Sequence, residues 1–148
     1  MAEEGNKVVD LNSAYRHKVD AKGRMSLPAS FRKVLSTDLV VTRNPRRVPL
    51  RVEPEAFNAW VAGVFEDKFE KFDRTNDLHV RLRRKLKSRA ADVSIDAAGR
   101  IMISAEQREA VGIDKEVVVV GNTGYFEIWD AKRYDAVDDE TDLGLLFD

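Results

Sequence analysis

The chain of 148 residues contains no cysteine. That excludes a disulfide framework, a thiolate-bound zinc site and a cysteine nucleophile, and it suits a reducing cytosol. Its two histidines, His17 and His79, are too few to build a metal site by themselves, so neither a metal nor another cofactor is expected. No apolar run approaches the roughly 18 residues that a membrane helix needs, and the N-terminus lacks the apolar core of a signal peptide. The expectation is a soluble cytoplasmic protein with no membrane partner. Charge is abundant instead. Asp, Glu, Lys and Arg make up 34% of the chain, against about 25% in an average globular domain. The net charge of −1 hides a polarity: residues 1–91 hold 20 Lys and Arg against 12 Asp and Glu, and residues 92–148 hold 5 against 14. Such asymmetry points to a polyanion-facing half, or to halves that attract each other in an assembly.

An internal repeat sets the organisation. Asp20-Ala21-Lys22-Gly23-Arg24 returns as Asp96-Ala97-Ala98-Gly99-Arg100, an offset of 76 residues. At the same offset Ala29 matches Ala105, Arg32 matches Arg108, and Met25, Leu27, Leu35, Val41, Leu50 and Val52 meet apolar residues. Each copy reads as strand, turn, strand, short helix, strand, strand. Tyr15, His17 and Val19 alternate with Arg16, Lys18 and Asp20, the period of a half-buried strand. Asp suits the first position of a type I turn, and Gly three residues on accepts the left-handed conformation. Asp20, Gly23, Asp96 and Gly99 are therefore read as turn formers. Pro28 suits the first turn of a helix with Phe31, Val34 and Leu35 on its apolar side. Leu39 to Thr42 and Val48 to Val52 read as strands joined through Asn44-Pro45-Arg46-Arg47. In the second copy Ser104 and Gln107 read as a capping box and Gly112 as a helix stop.

The boundaries follow: a disordered extension over 1–10, the first repeat over 11–54, connecting helices over 55–90, the second repeat over 91–135, and an acidic tail over 136–148. In the connecting segment Phe57, Trp60, Val61, Val64, Phe65 and Phe69 recur at helical spacing, and Leu78, Leu82 and Leu86 form a second stripe among basic residues. The tail ends in Leu143, Leu145, Leu146 and Phe147, and reads either as a solvating segment or as a docking one. Neither half-unit buries a core alone. The two are expected to pair about a pseudo-two-fold axis, exchanging strands into one small barrel. The fold class is thus mainly β with short helices.

Differences between the copies point to the site. One face of the first hairpin carries Arg16, Lys18, Lys22 and Arg24, where the second has Asp92, Ser94, Ala98 and Arg100. A two-stranded ribbon with a basic face fits the DNA major groove, its cations neutralising phosphates and an Arg fork able to read guanine. Arg16, Lys18, Lys22, Arg24 and, less strongly, Arg100 are the candidate DNA contacts. Arg32 and Arg108, on the short helices, suit a structural ion pair with a turn aspartate.

The motif DAKGR with Leu27-Pro28 and Phe31-Arg32, repeated as DAAGR with Gln107-Arg108, resembles the MraZ family of bacterial transcriptional regulators. That family comprises tandem members of the AbrB-type, swapped-hairpin DNA-binding class. Tyr15-Arg16-His17, Val118-Val119-Val120-Gly121 and Phe126-Glu127-Ile128-Trp129-Asp130 fit its pattern, and the likeness spans about residues 11–135. It implies a double-split β-barrel, a ring-shaped homo-oligomer, and binding of double-stranded DNA at repeated sites upstream of the division and cell-wall gene cluster. It also implies a regulator that is not an enzyme, takes no small-molecule substrate and sits on the nucleoid. The family's DNA-contacting hairpin falls on Asp20 to Arg24, so Lys22 and Arg24 inherit that role. The extra residues at the start, Ala98 and the acidic tail depart from the pattern.

Three rivals remain. Asp20 and Asp96 are arranged like an aspartic-protease dyad, but no hydroxyl follows either to orient it. An AbrB-type antitoxin would share the DNA-binding class. A pure assembly module would use the opposite charges between subunits and leave DNA alone.

Overall fold

The computed structural model describes residues 9–43, 49–54 and 57–147. The readings on residues 1–8, on the connection Asn44 to Arg47, on Val48 and on the Phe57 side chain lie outside what the structure describes. The order of elements follows the repeat. The first copy supplies β1 (Ala14–Lys18), β2 (Arg24–Ser26), α1 (Ala29–Arg32), β3 (Asp38–Arg43) and β4 (Leu50–Glu53). Two connecting helices follow, α2 (Phe57–Phe69) and α3 (Asp77–Ser88). The second copy supplies β5 (Ala91–Ser94), β6 (Arg100–Met102), α4 (Ala105–Ala110), β7 (Glu116–Gly121) and β8 (Phe126–Asp130). Helix α5 (Ala131–Glu140) and a 3₁₀ turn (Leu143–Leu146) close the chain. Helix α5 runs straight through position 135, where the charge pattern placed the end of the repeat.

Six strands form one antiparallel sheet in the order β1-β7-β8-β4-β3-β5, and β2 pairs with β6 in a separate two-stranded ribbon. Strands of one copy pair with strands of the other: β1 with β7, β3 with β5, β4 with β8, and β2 with β6. The β2–β6 register maps onto itself at the 76-residue offset, with Met25 facing Ile101 and Arg24 and Ser26 facing Met102 and Arg100. The architecture is mainly β with short helices, as expected. A closed barrel is not formed among the described residues: β1 and β5 are sheet edges, and β2 and β6, three residues each, ladder only with one another.

Both copies feed a single core. Met25, Leu27, Leu39, Val41, Leu50 and Val52 are buried in one cluster with Ile101, Ile103, Val117, Phe126 and Ile128. Phe31 is driven into it edge-on to Tyr15, with ring centroids 5.6 Å apart, and 5.4 Å from Phe126. Such burial is worth about 1.5–3 kcal/mol per large apolar side chain, and half of it comes from the other copy.

Several local expectations change. Pro28 precedes α1 as its cap residue, and α1 is one turn long, so Val34 falls beyond it and is half exposed. Ser104 accepts the Gln107 N–H at 3.1 Å, but the Gln107 side chain does not return the bond. It is buried and donates instead to the Val41 and Arg89 carbonyls at 3.4 and 3.1 Å, tying α4 to β3 and to the end of α3. Gln107 occupies the position of Phe31 in the first copy, which explains why it turns inward. Helix α4 then stops as expected: the Gly112 and Ile113 N–H groups bond the Glu109 and Arg108 carbonyls, a Schellman ending. On α3 the Leu78–Leu82 stripe is not buried; Leu78 and Leu82 are 49% and 41% exposed. His79 takes the inward place, accepting the Asp73 N–H on Nδ1 at 3.0 Å and packing its ring 4.2 Å from that of Phe69. Near the start of the described residues, Asp10 bridges Thr123, and Leu11 is buried.

Candidate nucleic-acid interface

Both turns are built alike. The Gly23 N–H bonds the Asp20 carbonyl at 2.9 Å, and the Gly99 N–H bonds the Asp96 carbonyl at 2.9 Å. Gly23 and Gly99 lie at φ of +89° and +77°, where glycine is favoured. One Asp20 carboxylate oxygen accepts the Lys22 and Arg24 N–H groups, each at 2.9 Å, and the other accepts Arg24 Nε at 2.7 Å. Asp96 repeats this with the Ala98 and Arg100 N–H groups at 2.9 Å and Arg100 Nε at 3.2 Å. The backbone N–H of the arginine, then its neighbours in the turn and the guanidinium, hold each carboxyl below the usual carboxylate range. A dyad sharing a proton would push one carboxyl up; both move down, and each is committed to its own arginine. Among the described residues, the bonds that each carboxylate accepts run to its own turn and arginine, not to the other aspartate.

The turns are locked to the opposite copy. The Leu27 N–H bonds the Gly99 carbonyl at 3.0 Å, and the Ile103 N–H bonds the Gly23 carbonyl at 2.8 Å. Arg32 and Arg108 complete the lock, without the aspartate partners expected of them. Their Nε atoms bond the Leu27 and Ile103 carbonyls at 3.2 Å. Their side chains lie over the turn glycines of the other copy, Arg32 over Gly99 and Arg108 over Gly23. The aspartates are already saturated by Arg24 and Arg100, which is why the helix arginines turn to carbonyls.

The candidate cations divide into two groups. Met25 and Ile101 face the core from the ribbon, so Arg24, Ser26, Arg100 and Met102 share its outer face. Arg24 and Arg100 are diagonal neighbours there, a relation that puts Cα atoms about 7–8 Å apart. Lys22 stands exposed in the turn that enters the ribbon. Arg16 and Lys18 lie elsewhere. Strand β1 belongs to the six-stranded sheet and β2 to the ribbon, so the arms of the first hairpin do not ladder, and the ribbon is β2–β6 instead. Arg16 forms an ion pair with Asp135 of α5, and Lys18 stands opposite Glu116 of β7. The sequence pattern alternates Ser26 and Met102 with core residues and so places them on the outer face; no spacing signals the pairing of Arg16 with Asp135.

The arrangement offers two arginines whose Nε edges are already held and whose terminal nitrogens are not used by those bonds. A guanidinium oriented in this way loses less freedom on meeting a planar acceptor pair. Among the described residues no group of acidic, histidine or cysteine side chains is placed to hold a metal, and no helix is long and apolar enough to cross a membrane.

Known proteins carry the same pattern. The family model described as "MraZ protein, putative antitoxin-like" matches residues 11–46 and 86–145, which hold both turns, both ribbon strands and α5. Proteins named transcriptional regulator MraZ from Burkholderia cenocepacia, Burkholderia lata and Burkholderia mallei are each 38% identical to this chain over 125 residues. The match covers 80% of this chain and 80% of each relative. With the duplicated turns and cross-copy pairing in place, the chain belongs to the MraZ family.

Proposed function

We propose that this chain is a sequence-specific DNA-binding transcriptional regulator, with no catalytic activity and no small-molecule substrate. The single observation that carries the reading is the pair of pre-oriented arginines, Arg24 and Arg100, on one outward face of the β2–β6 ribbon. A two-stranded ribbon fits the major groove, and an arginine fork matches guanine O6 and N7. Lys22 is the adjoining phosphate contact. Arg16 and Lys18, on β1 of the six-stranded sheet, are further phosphate contacts, Arg16 exchanging Asp135 for phosphate. The relatives named as transcriptional regulators support the same reading. The exchange of strand pairs between copies supports a swapped-hairpin, AbrB-like architecture of the double-split barrel kind. One ribbon covers only a few base pairs, too little for selectivity in a genome. The functional unit is therefore a ring-shaped homo-oligomer that engages repeated sites on the nucleoid, upstream of the division and cell-wall gene cluster that includes its own gene.

Footprinting of the full-length protein on the promoter region of its own operon tests this. Protection of regularly spaced repeats is expected; uniform or absent protection overturns it. An AbrB-type antitoxin is the second reading, favoured by the description of the matching family. It requires a toxin partner that co-purifies with the chain. An assembly module would leave the promoter unprotected while the protein still self-associates.

A further inference from the structure

The described surface exposes large apolar side chains mainly in two places, and those places carry opposite charge. One is the C-terminal segment. Leu143, Leu145, Leu146 and Phe147 are 70–86% exposed, and Val137 on α5 is 45% exposed. Asp138, Asp139, Glu140 and Asp142 stand among them. The other is the α2–α3 hairpin. Between its helices lies a cavity of about 340 Å³ lined by Val61, Ala62, Phe65, Phe72, Arg83 and Lys87. Arg83 stands at 3.7 Å over the Phe72 ring, and Arg81, Arg84 and Lys85 extend the positive surface along α3. An apolar floor with a cationic rim fits an apolar segment studded with carboxylates.

The repeat gives a second, independent reason. Helix α5 follows β8 as α2 follows β4. In the first copy α3 covers α2, so that Val61 is 5% exposed. Val137, its equivalent at the 76-residue offset, is 45% exposed, although the 3₁₀ turn Leu143–Leu146 follows α5. The second copy thus presents an apolar helix face and an apolar tip without the cover that the first copy has.

We infer that the C-terminal segment, residues 142–147, docks into the α2–α3 cavity of a second copy of this chain. The sheet order favours a second copy over the same one. Helix α5 packs on β7 and β8, beside edge strand β1. The α2–α3 hairpin packs against Val40 of β3 and Ala90 beside β5, on the other half of the sheet. A contact of this type joins unlike surfaces. It leaves one tail and one cavity open in every dimer, and so builds a ring or a filament rather than a closed pair. It supplies a contact for the homo-oligomer proposed above but does not depend on DNA binding.

The absence of cysteine makes the test clean. Leu145→Cys is placed in one full-length chain and Ala62→Cys, at the cavity wall, in a differently tagged one. The two are mixed under mild oxidation. Docking raises the local thiol concentration to about the millimolar range, so the mixed disulfide is expected to form about tenfold or more faster than with a Val34→Cys control. Phe147→Glu in the first chain, or Arg83→Glu in the second, is expected to remove the excess, with circular dichroism confirming that both variants fold. Cross-linking no faster than the control overturns the inference. So does a disulfide that forms within a single chain when both cysteines are placed in it at high dilution. Light scattering on the same samples reports self-association separately. Oligomers that persist without the cross-link would place their contact elsewhere and leave the oligomer itself standing.

Discussion

Asp20 and Asp96 carry the turns, and their chemistry sets a pH dependence. Both carboxyls are held below the usual carboxylate range. A depressed folded pKa stabilises the fold above the unfolded value of about 3.9, and that contribution is lost as pH falls through the lower folded value. His17 acts in the same direction, since burial lowers its pKa and disfavours its charged form. Glu53 acts in the opposite one: burial raises its pKa despite its pairing with Arg51, so its ionisation costs stability as pH rises. NMR titration of the side-chain carboxyls is expected to find Asp20 and Asp96 both below the ordinary value; one of them above it would revive a shared-proton pair. The two turn glycines are conformationally alike but differ in surroundings. A Cβ on Gly23 would stand 2.2 Å from the Ile103 carbonyl oxygen, which is backbone in the β6 segment. On Gly99 it would meet Arg32 side-chain atoms at 2.6 and 2.8 Å, and a side chain can swing away. Left-handed backbone costs alanine about 1–2 kcal/mol at either site, and the clash adds to this only at Gly23. Urea denaturation should therefore find Gly23→Ala more destabilising than Gly99→Ala; equal losses would contradict this. Asp135 offers a third residue-scale test. Asp135→Asn frees Arg16 for phosphate, so affinity for promoter DNA should rise and the log–log salt slope steepen by about 0.9. Unchanged binding would show that Arg16 takes no part.

At the scale of elements, alternation, turn chemistry and the repeat were enough to place the strands, because Met25, Leu27, Ile101 and Ile103 alternate with polar neighbours and the Asp-x-x-Gly turns explain themselves. Pairing was not legible in the same way. The two strands that flank one turn look like a hairpin in the sequence, yet β1 lies in the sheet and β2 in the ribbon. Local periodicity says which face a residue takes, not which strand lies beside it. That is why the sequence places Arg24 and Arg100 on separate hairpins although they share one ribbon, and groups Arg16 and Lys18 with them. Gln107 keeps the Ser104 half of the capping box and departs from the other half for a similar reason. A capping box is a local pattern, but the side chain answers to distant carbonyls. Gln107→Ala leaves the Val41 and Arg89 carbonyls without that donor, a loss of about 1–3 kcal/mol. Chemical denaturation should show it, and a change within error would mean that water replaces the amide without cost. The α3 leucines show the limit of helical periodicity: the stripe is real, but the short contact with α2 is filled by His79 and Leu86.

At the scale of the molecule, the two copies form one core, and neither would retain its burial without the other. This much was expected from the repeat, since a half-unit of about five short elements buries too little surface alone. The charge polarity of the chain has a place as well: the basic excess lies on the first turn and on α3, and the acidic excess on α5 and the tail. The central claim is that the outer face of the β2–β6 ribbon binds DNA, and the salt dependence of affinity for the operon's own promoter tests it most directly. If three or more phosphates are neutralised, log affinity should fall against log salt with a slope of about −2.7 or steeper. Arg24→Ala should weaken binding more than Arg100→Ala, because Lys22 adjoins the first arginine and Ala98 the second. The double substitution should abolish preference for the repeats while the protein stays folded. Affinity that does not change with salt, or a double variant that binds the repeats as the parent does, would contradict the account.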